Sequence, residues 1–144
     1  MKFLNRNIKR FLNIMFFLDL SLWFRSFKQI KKNKLTKTND LNWTMNVYDI
    51  YVIRKLIKKY NPKKILELGP GVGVSTEAIV DQMSNDCKLV SVEHEEKCVK
   101  LTKDRIKNFN KKVNIIQSKV ILSKGKIGLE TICFENLGMS DFEN

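Results

Sequence analysis

Residues 63–76 read KKILELGPGVGVST, and this stretch decides how the rest of the chain is interpreted. A short apolar run, Ile65–Leu68, is interrupted only by Glu67 and ends in a glycine-rich turn. Sequence compatible with a helix resumes at Val74, and Ser75 or Thr76 is expected to be the N-cap of this helix. A buried strand followed by a tight glycine turn and a helix start brings backbone N–H groups up to a ligand at the carboxyl end of the strand. We therefore expect a ligand-binding turn between Leu68 and Val74.

The segments around this turn alternate between helical and strand patterns. The predicted elements are a helix from about Val47 to Tyr60, a strand over Lys64–Leu68, a helix from about Ser75 to Met83, a strand over Lys88–His94, a helix from Glu95 to about Phe109, a strand over Val113–Gln117 and a fourth strand over Thr131–Phe134. Single helices between strands favour a parallel sheet with right-handed crossovers. The predicted fold class is α/β: an incomplete Rossmann-like parallel sheet of about three to four strands with flanking helices, preceded by an amphipathic N-terminal helix.

The spacing of the glycines indicates what kind of ligand the turn accepts. Gly69, Gly71 and Gly73 form a GxGxG arrangement, whereas dinucleotide-binding domains use GxGxxG to seat a pyrophosphate on the helix N-terminus. Glu93 lies twenty residues beyond Gly73, at the end of the second strand, where a carboxylate can accept both ribose hydroxyl hydrogens. Glu67 adds a second carboxylate beside the turn. These residues favour a nucleoside ligand that is cationic and carries no phosphate.

The stretches ILELGPGVGVST (65–76) and LVSVEHEEK (89–97) together resemble the first motif and the acidic second strand of class I S-adenosylmethionine-dependent methyltransferases. The resemblance covers about Val47 to Val120. It implies S-adenosylmethionine as the cofactor and methyl transfer as the reaction. The residues that it places at the cofactor are Gly69, Gly71 and Gly73 along the methionine and ribose, Glu67 near the methionine end, Glu93 at the ribose hydroxyls, and Ser118 at the adenine, where family members often carry an acid.

The sequence nominates no catalytic residue, and the methyl acceptor is unknown. Methyl transfer from a sulfonium can proceed largely by positioning of the donor and the nucleophile. The later strands of the family's seven-stranded sheet normally complete the substrate pocket, so we expect this chain to be a methyltransferase or a truncated piece of one. The alternative is a non-catalytic cofactor-binding or partner subunit built on half of the fold.

The N-terminal region differs from the rest of the chain in its charge. The net charge is +12, and residues 1–37 carry ten basic side chains against the single acid Asp19. We divide the chain into a basic, apolar arm and linker, 1–40, and a partial methyltransferase-like domain, 41–144; within this scheme, residues 31–46 have no period and are predicted to be linker. Apolar residues from Ile8 to Trp23 recur at helical spacing. This pattern fits a helix in a membrane interface, a helix packed on the domain or on a partner subunit, or a signal or anchor.

The partners expected from this arm follow its charge and its apolar face. Residues 1–37 would contact an anionic membrane surface, which favours a lipid or a small molecule as the acceptor and a cytoplasmic protein at the membrane periphery. A homo-oligomer or a partner subunit is the other expectation. Nucleic acid is not expected, because Lys28–Lys37 contains no aromatic residue on which bases could stack.

Cysteine and histidine usage bounds the remaining chemistry. The three cysteines have no CxxC or metal-ligand spacing, and we expect reduced, partly buried thiols in a reducing compartment. The single histidine, His94, excludes a two-histidine metal site, and no metal is predicted.

Overall fold

A computed structural model describes residues 19–35, 45–124 and 130–134 of the chain. The elements, in chain order, are α1 (Leu20–Leu35), α2 (Val47–Tyr60), β1 (Lys64–Leu68), α3 (Val74–Gln82), β2 (Lys88–Glu93), α4 (Glu96–Ile106), β3 (Lys112–Gln117), β4 (Val120–Lys124) and β5 (Glu130–Phe134). The predicted bounds of α2 and β1 are confirmed, and the other elements expected between residues 69 and 118 begin and end within three residues of their predicted bounds.

The central sheet is parallel, and its three strands follow one another in the order β1-β2-β3. Leu66 is opposite Val90 and Ser91 is opposite Ile115, so the carboxyl ends of all three strands lie at one edge. The middle strand is buried from Leu89 onward, as expected of a parallel strand between two neighbours. The predicted fold class, a partial Rossmann-like sheet with flanking helices, is confirmed.

Local capping explains where α2 begins and ends. The Asn46 side chain accepts hydrogen bonds from the N–H groups of Tyr48 and Asp49, and Asp49 bonds back to the Asn46 N–H, which forms a capping box. Asn61 ends the helix in a left-handed conformation with φ 41°, and Pro62 cannot continue it. These residues end α2 at Tyr60, four residues before β1 begins at Lys64.

The apolar residues of α2 at helical spacing predict a buried face, and only part of that face is buried. The predicted face comprises Tyr48, Ile53, Leu56, Ile57 and Tyr60. Tyr48 and Tyr60 are exposed, whereas Ile50, Tyr51 and Arg54 are buried. Burial of a charged guanidinium is tolerated because Arg54 donates to Asp81 Oδ2 at 3.0 Å and to Ser26 Oγ at 3.1 Å. The inward side of α2 therefore includes Ile53 and Ile57, which pack against the core as expected, and also the Arg54–Asp81 ion pair, which an apolar pattern does not predict.

Helix α1 packs against the domain. Gln29 donates from Nε2 to the carbonyl of Val74 at 2.8 Å, and the ring of Trp23 meets that of Tyr51 edge to face. The prediction of linker is wrong for residues 31–35, which continue α1. Residues 1–18, with most of the predicted apolar stripe, lie outside the described residues, and the domain boundary at residue 40 stays a prediction.

The end of the described chain forms a separate antiparallel pair. Val120 lies opposite Phe134 and Lys124 opposite Glu130. The predicted strand over Thr131–Phe134 is confirmed as β5, but it pairs with β4, a strand that the sequence pattern does not predict. None of the helices in the described ranges is long and apolar enough to cross a membrane.

Candidate functional site

The glycine turn between β1 and α3 has a backbone that side chains disfavour. Gly69, Gly71 and Gly73 have φ values of 69°, 55° and 78°, which fall in the left-handed region. A Cβ placed on Gly69 or Gly71 would meet no atom within 4 Å, whereas one on Gly73 would lie 2.9 Å from the Thr102 Cα. The first two glycines thus leave open space beside the turn, and the third allows α4 to approach closely.

The N–H groups of these glycines serve the protein itself. Gly69 N donates to the carbonyl of Val92 and Gly73 N to that of Pro70, each at 2.9 Å, while Gly71 N donates to the carboxylate of Glu93. The expectation that the glycine N–H groups face a ligand is therefore wrong for these three. The three glycine N–H groups therefore do not form a cradle for a pyrophosphate, in agreement with the GxGxG spacing.

Glu93 holds the turn and the end of β2 together. Its Oε2 accepts from Gly71 N at 2.9 Å, and its Oε1 accepts from the N–H groups of His94 at 2.8 Å and Glu95 at 3.1 Å. The His94 ring lies alongside, with Nδ1 2.9 Å from Oε1. A carboxylate oxygen accepts about two hydrogen bonds. Among the described residues Oε2 has a single donor, so it keeps capacity for a ligand hydroxyl.

Glu67 is buried beneath the turn and binds the start of α3. Its Oε1 accepts from Ser75 Oγ at 2.5 Å, and its Oε2 accepts from Thr76 Oγ1 and Ser91 Oγ, both at 2.8 Å. These contacts explain why the predicted N-cap is wrong. Ser75 and Thr76 were expected to cap α3, but their hydroxyls bind Glu67, and Gly73 is the N-cap residue.

Ser118 lies beside Glu93, one residue beyond the end of β3. Its backbone N–H donates to the Glu93 carbonyl at 2.8 Å, which continues the pairing of β2 with β3 past the last strand residue. The structure thus brings Glu93, the glycine turn and Ser118 together at the carboxyl edge of the sheet, with Glu67 below. Their roles at a cofactor stay predictions.

Two residues of α4 support the turn and were missed in the sequence. Thr102 donates from Oγ1 to the Gly71 carbonyl at 3.1 Å, and Arg105 donates from Nε to the Val72 carbonyl at 2.8 Å. Arg105 also binds Glu77 Oε2 at 3.0 Å. A threonine and an arginine three positions apart lie on one helix face, and that spacing was the signal that could have found them.

The two described cysteine side chains are free and buried, in line with the expected reduced thiols. Burial, together with the hydrogen bond to Glu95, raises the pKa of the Cys98 thiol to about 11. Burial also raises the pKa of Cys87. Neither thiol is activated as a nucleophile, because the thiolate is the reactive form.

The chain matches a protein family and a curated relative in sequence. Residues 32–123 match the model of the ribosomal RNA adenine dimethylase family. The chain is also 36% identical over 76 residues to the ribosomal RNA small subunit methyltransferase A of Blochmanniella pennsylvanica. That alignment covers 51% of this chain and 27% of the relative, so the chain spans about a quarter of the relative's length.

Solved structures show the same fold. An O-methyltransferase from Bacillus cereus in complex with S-adenosylhomocysteine superposes with a TM-score of 0.54 at 20% identity, over 64% of this chain and 42% of that one. The S-adenosylhomocysteine-bound methyltransferase PaMTH1 of Podospora anserina gives 0.52 at 18%, over 68% and 40%. The O-methyltransferase TomG of Streptomyces achromogenes, in complex with S-adenosylmethionine, gives 0.50 at 18%, over 62% and 40%. The chain has the class I S-adenosylmethionine-dependent methyltransferase fold.

The expectations about partners require correction. The preference for a lipid or small-molecule acceptor, and against nucleic acid, is wrong, because the matching family is named for the dimethylation of adenine in ribosomal RNA. Lys28–Lys37 contains no aromatic residue, but α1 begins at Leu20 and has Phe24 and Phe27 on its exposed surface. The family match gives no support to a peripheral membrane protein.

The family match spans about two thirds of the chain and contains every residue of the candidate site. It extends from the last turns of α1 through the glycine turn, Glu93 and Ser118 to β4. The relative and the solved structures agree with it in fold. The chain belongs to the ribosomal RNA adenine dimethylase family.

Proposed function

We propose that this chain binds S-adenosylmethionine at the carboxyl edge of its sheet and serves the transfer of methyl groups to adenine in ribosomal RNA. One observation carries the proposal. Gly69 and Gly71 leave open space on a left-handed turn whose next neighbour is the buried carboxylate of Glu93. Family membership gives the reaction class, and two of the similar structures are complexes with S-adenosylhomocysteine.

The residues at this edge fit such a cofactor. The space beside Gly69 and Gly71 would be filled by any other side chain, so it is available to a ligand that lies against the backbone. Glu93 Oε2 has capacity for a ribose hydroxyl, and the carboxylates of Glu93 and Glu67 suit a cation. The absence of free glycine N–H groups at the turn matches a ligand without phosphate.

Each residue has a distinct part in this proposal. S-adenosylmethionine, when bound, supplies a methyl group on a positively charged sulfur. Glu93 would bind the ribose while fixing Gly71, and Ser118, held by its N–H on the Glu93 carbonyl, would lie at the adenine. Glu67 acts through others: it positions α3 by accepting from the hydroxyls of Ser75 and Thr76.

Ligand discrimination tests the cofactor part. The purified chain is titrated separately with S-adenosylmethionine, S-adenosylhomocysteine, ATP and NAD. We expect the first two to bind and the two phosphate-bearing nucleotides to bind at least about tenfold more weakly, which corresponds to roughly 1.4 kcal/mol. Equal or stronger binding of ATP or NAD would overturn the assignment of the turn to a phosphate-free cofactor.

A transfer assay tests the acceptor. The chain is incubated with S-adenosylmethionine carrying a labelled methyl group and with small-subunit ribosomal RNA, and the RNA is then digested to nucleosides. Label in methylated adenosine supports the proposal. Cofactor binding without label in the RNA would assign this chain to cofactor binding alone and overturn its part in the transfer.

A further inference from the structure

An exposed face of α1 carries positive charge and aromatic rings side by side. Phe24, Lys28 and Lys32 are four residues apart and therefore lie one above another along the helix, and Arg25 borders this row. All four side chains are exposed, with Phe24 exposed by 61%. Phe27, 53% exposed, adds a second ring one turn from Phe24. We call Phe24, Arg25, Phe27, Lys28 and Lys32 the α1 surface.

The α1 surface borders an open groove that has an excess of positive charge. The groove has a volume of about 380 Å³ and is lined by Arg25, Lys28, Gln29, Lys32, Arg54, Glu77 and Asp81. Its two acids are engaged within the protein: Asp81 pairs with Arg54 at 3.0 Å, and Glu77 pairs with Arg105 at 3.0 Å. Lys28, Lys32 and Arg25, which lies 3.6 Å from Asp81, are at the rim, so that four basic side chains and two acidic ones line the groove. An anionic ligand is thus favoured over a cationic or neutral one.

Hydrogen bonds of Gln29 connect the groove to the residues that follow the glycine turn. Gln29 is 5% exposed, and its Nε2 donates to the carbonyl of Val74 at 2.8 Å and to Glu77 Oε2 at 3.1 Å. Val74 is the first residue of α3 and directly follows Gly73. A chain bound along α1 would therefore be held in a fixed position relative to the candidate cofactor site, as phosphate contacts do when they set the register of a nucleic acid.

We propose that the α1 surface binds single-stranded RNA, with its phosphates along Arg25, Lys28 and Lys32 and a base stacked on Phe24. The inference rests on the proposed function, which makes RNA the methyl acceptor. Basic grooves that follow the backbone, combined with aromatic rings that stack on bases, are the features by which proteins bind single strands. A duplex would leave the rings unused, because its bases are already stacked on one another.

Fluorescence anisotropy with a short, labelled, adenine-containing single-stranded RNA tests this surface across a series of salt concentrations. The full chain is compared with Lys28→Ala, Phe24→Ala and the matched control Lys112→Ala. Lys112 is also an exposed lysine, but it begins β3 at the opposite, amino edge of the sheet and does not line the groove. Titration of every variant with S-adenosylmethionine reports separately on the cofactor site.

The two variants of α1 should act differently. Lys28→Ala should reduce the slope of log K against log salt by about 0.7, the value for one lost single-strand phosphate contact. Phe24→Ala should weaken binding at least about fivefold without changing that slope, because stacking is not ionic. Lys112→Ala should match the unaltered chain, and all variants should bind the cofactor equally.

Three outcomes would overturn the proposal. Equal effects of Lys28→Ala and Lys112→Ala on RNA affinity would mean that the RNA responds to the overall positive charge of the protein and has no specific site on the α1 surface. An unchanged RNA affinity of Phe24→Ala, together with loss of a dimer in sedimentation equilibrium, would assign the aromatic face to self-association. If the unaltered chain binds S-adenosylmethionine but no RNA, RNA binding by the α1 surface is excluded, and the assignment of the cofactor site is unaffected.

Discussion

The carboxylate of Glu93 accepts a hydrogen bond from the backbone N–H of Gly71, with 2.9 Å between Oε2 and the nitrogen. The end of β2 thereby holds the turn that follows β1, and the buried acid fixes the shape of the space that we assign to the cofactor. A residue that binds a ligand and also shapes the ligand's surroundings couples the stability of the site to binding.

Gly71→Ala and Gly73→Ala should differ in their cost although both glycines are left-handed. At Gly71 a methyl group meets open space, so only the strain of the positive φ is added, about 1–2 kcal/mol. At Gly73 the same methyl group also lies 2.9 Å from the Thr102 backbone, and relieving that overlap adds about 1–3 kcal/mol. Urea unfolding of the two variants measures the difference, and equal losses would contradict the close approach of α4.

Glu67→Gln should be tolerated much better than Glu67→Ala. The glutamine keeps one oxygen for Thr76 and Ser91, and the Ser75 hydroxyl can rotate to accept from the new amide. Alanine removes the acceptor of three hydroxyls inside the protein, which should lower the free energy of unfolding by about 1–3 kcal/mol. Chemical denaturation of both variants checks this, and a glutamine variant as unstable as the alanine variant would show that charge, not hydrogen bonding, is what Glu67 supplies.

Removal of the two partners of the Arg54–Asp81 ion pair should have unequal effects. Asp81→Ala leaves a guanidinium that is 4% exposed without its carboxylate, and we expect a loss of about 3–5 kcal/mol. Arg54→Met fills the same space without a charge and leaves Asp81 beside Arg25, so its effect should be small. Thermal or urea unfolding decides between them. Equal losses would mean that the pair itself, rather than the burial of Arg54, determines stability.

The Cys98 thiol should resist alkylation in the folded protein. Its pKa rises from 9.0 to about 11 because the side chain is buried and hydrogen-bonded to Glu95. The folded state therefore binds the thiol proton more tightly than the unfolded state, so this contribution to stability is complete below pH 9 and is lost between pH 9 and 11. Iodoacetamide at a pH near 9 should modify Cys98 far more slowly in the native chain than in urea, as followed by peptide mass spectrometry. Equal rates would contradict its burial.

The sequence predicted the sheet and the turn because their signals are local. Pro62 ends α2, the glycines end β1, and the spacing to Glu93 follows from one crossover helix, so these elements were found close to their true bounds. The fold class required only the alternation of helices and strands. No long-range contact had to be known.

The errors occurred where a distant side chain decides the outcome. The burial of Arg54 in α2 depends on its pairing with Asp81, 27 residues away in sequence, and an apolar pattern does not contain that information. Ser75 was expected as a cap because it begins a helix, but Glu67 lies close enough to bind its hydroxyl first. The internal use of the Gly69 and Gly71 N–H groups was missed for the same reason, since their acceptors, Val92 and Glu93, belong to β2.

The most direct test of the central claim is isothermal titration of the chain with S-adenosylmethionine, alongside Glu93→Ala and the control Glu96→Ala. Glu96 is an exposed acid whose ion pair with Lys100 adds little to stability. We expect the unaltered chain and Glu96→Ala to bind S-adenosylmethionine equally. Folded Glu93→Ala should bind it at least about tenfold more weakly, because a hydrogen bond to a charged group is lost. No binding by the folded, unaltered chain, or equal binding by Glu93→Ala, would contradict the assignment of this edge of the sheet to the cofactor.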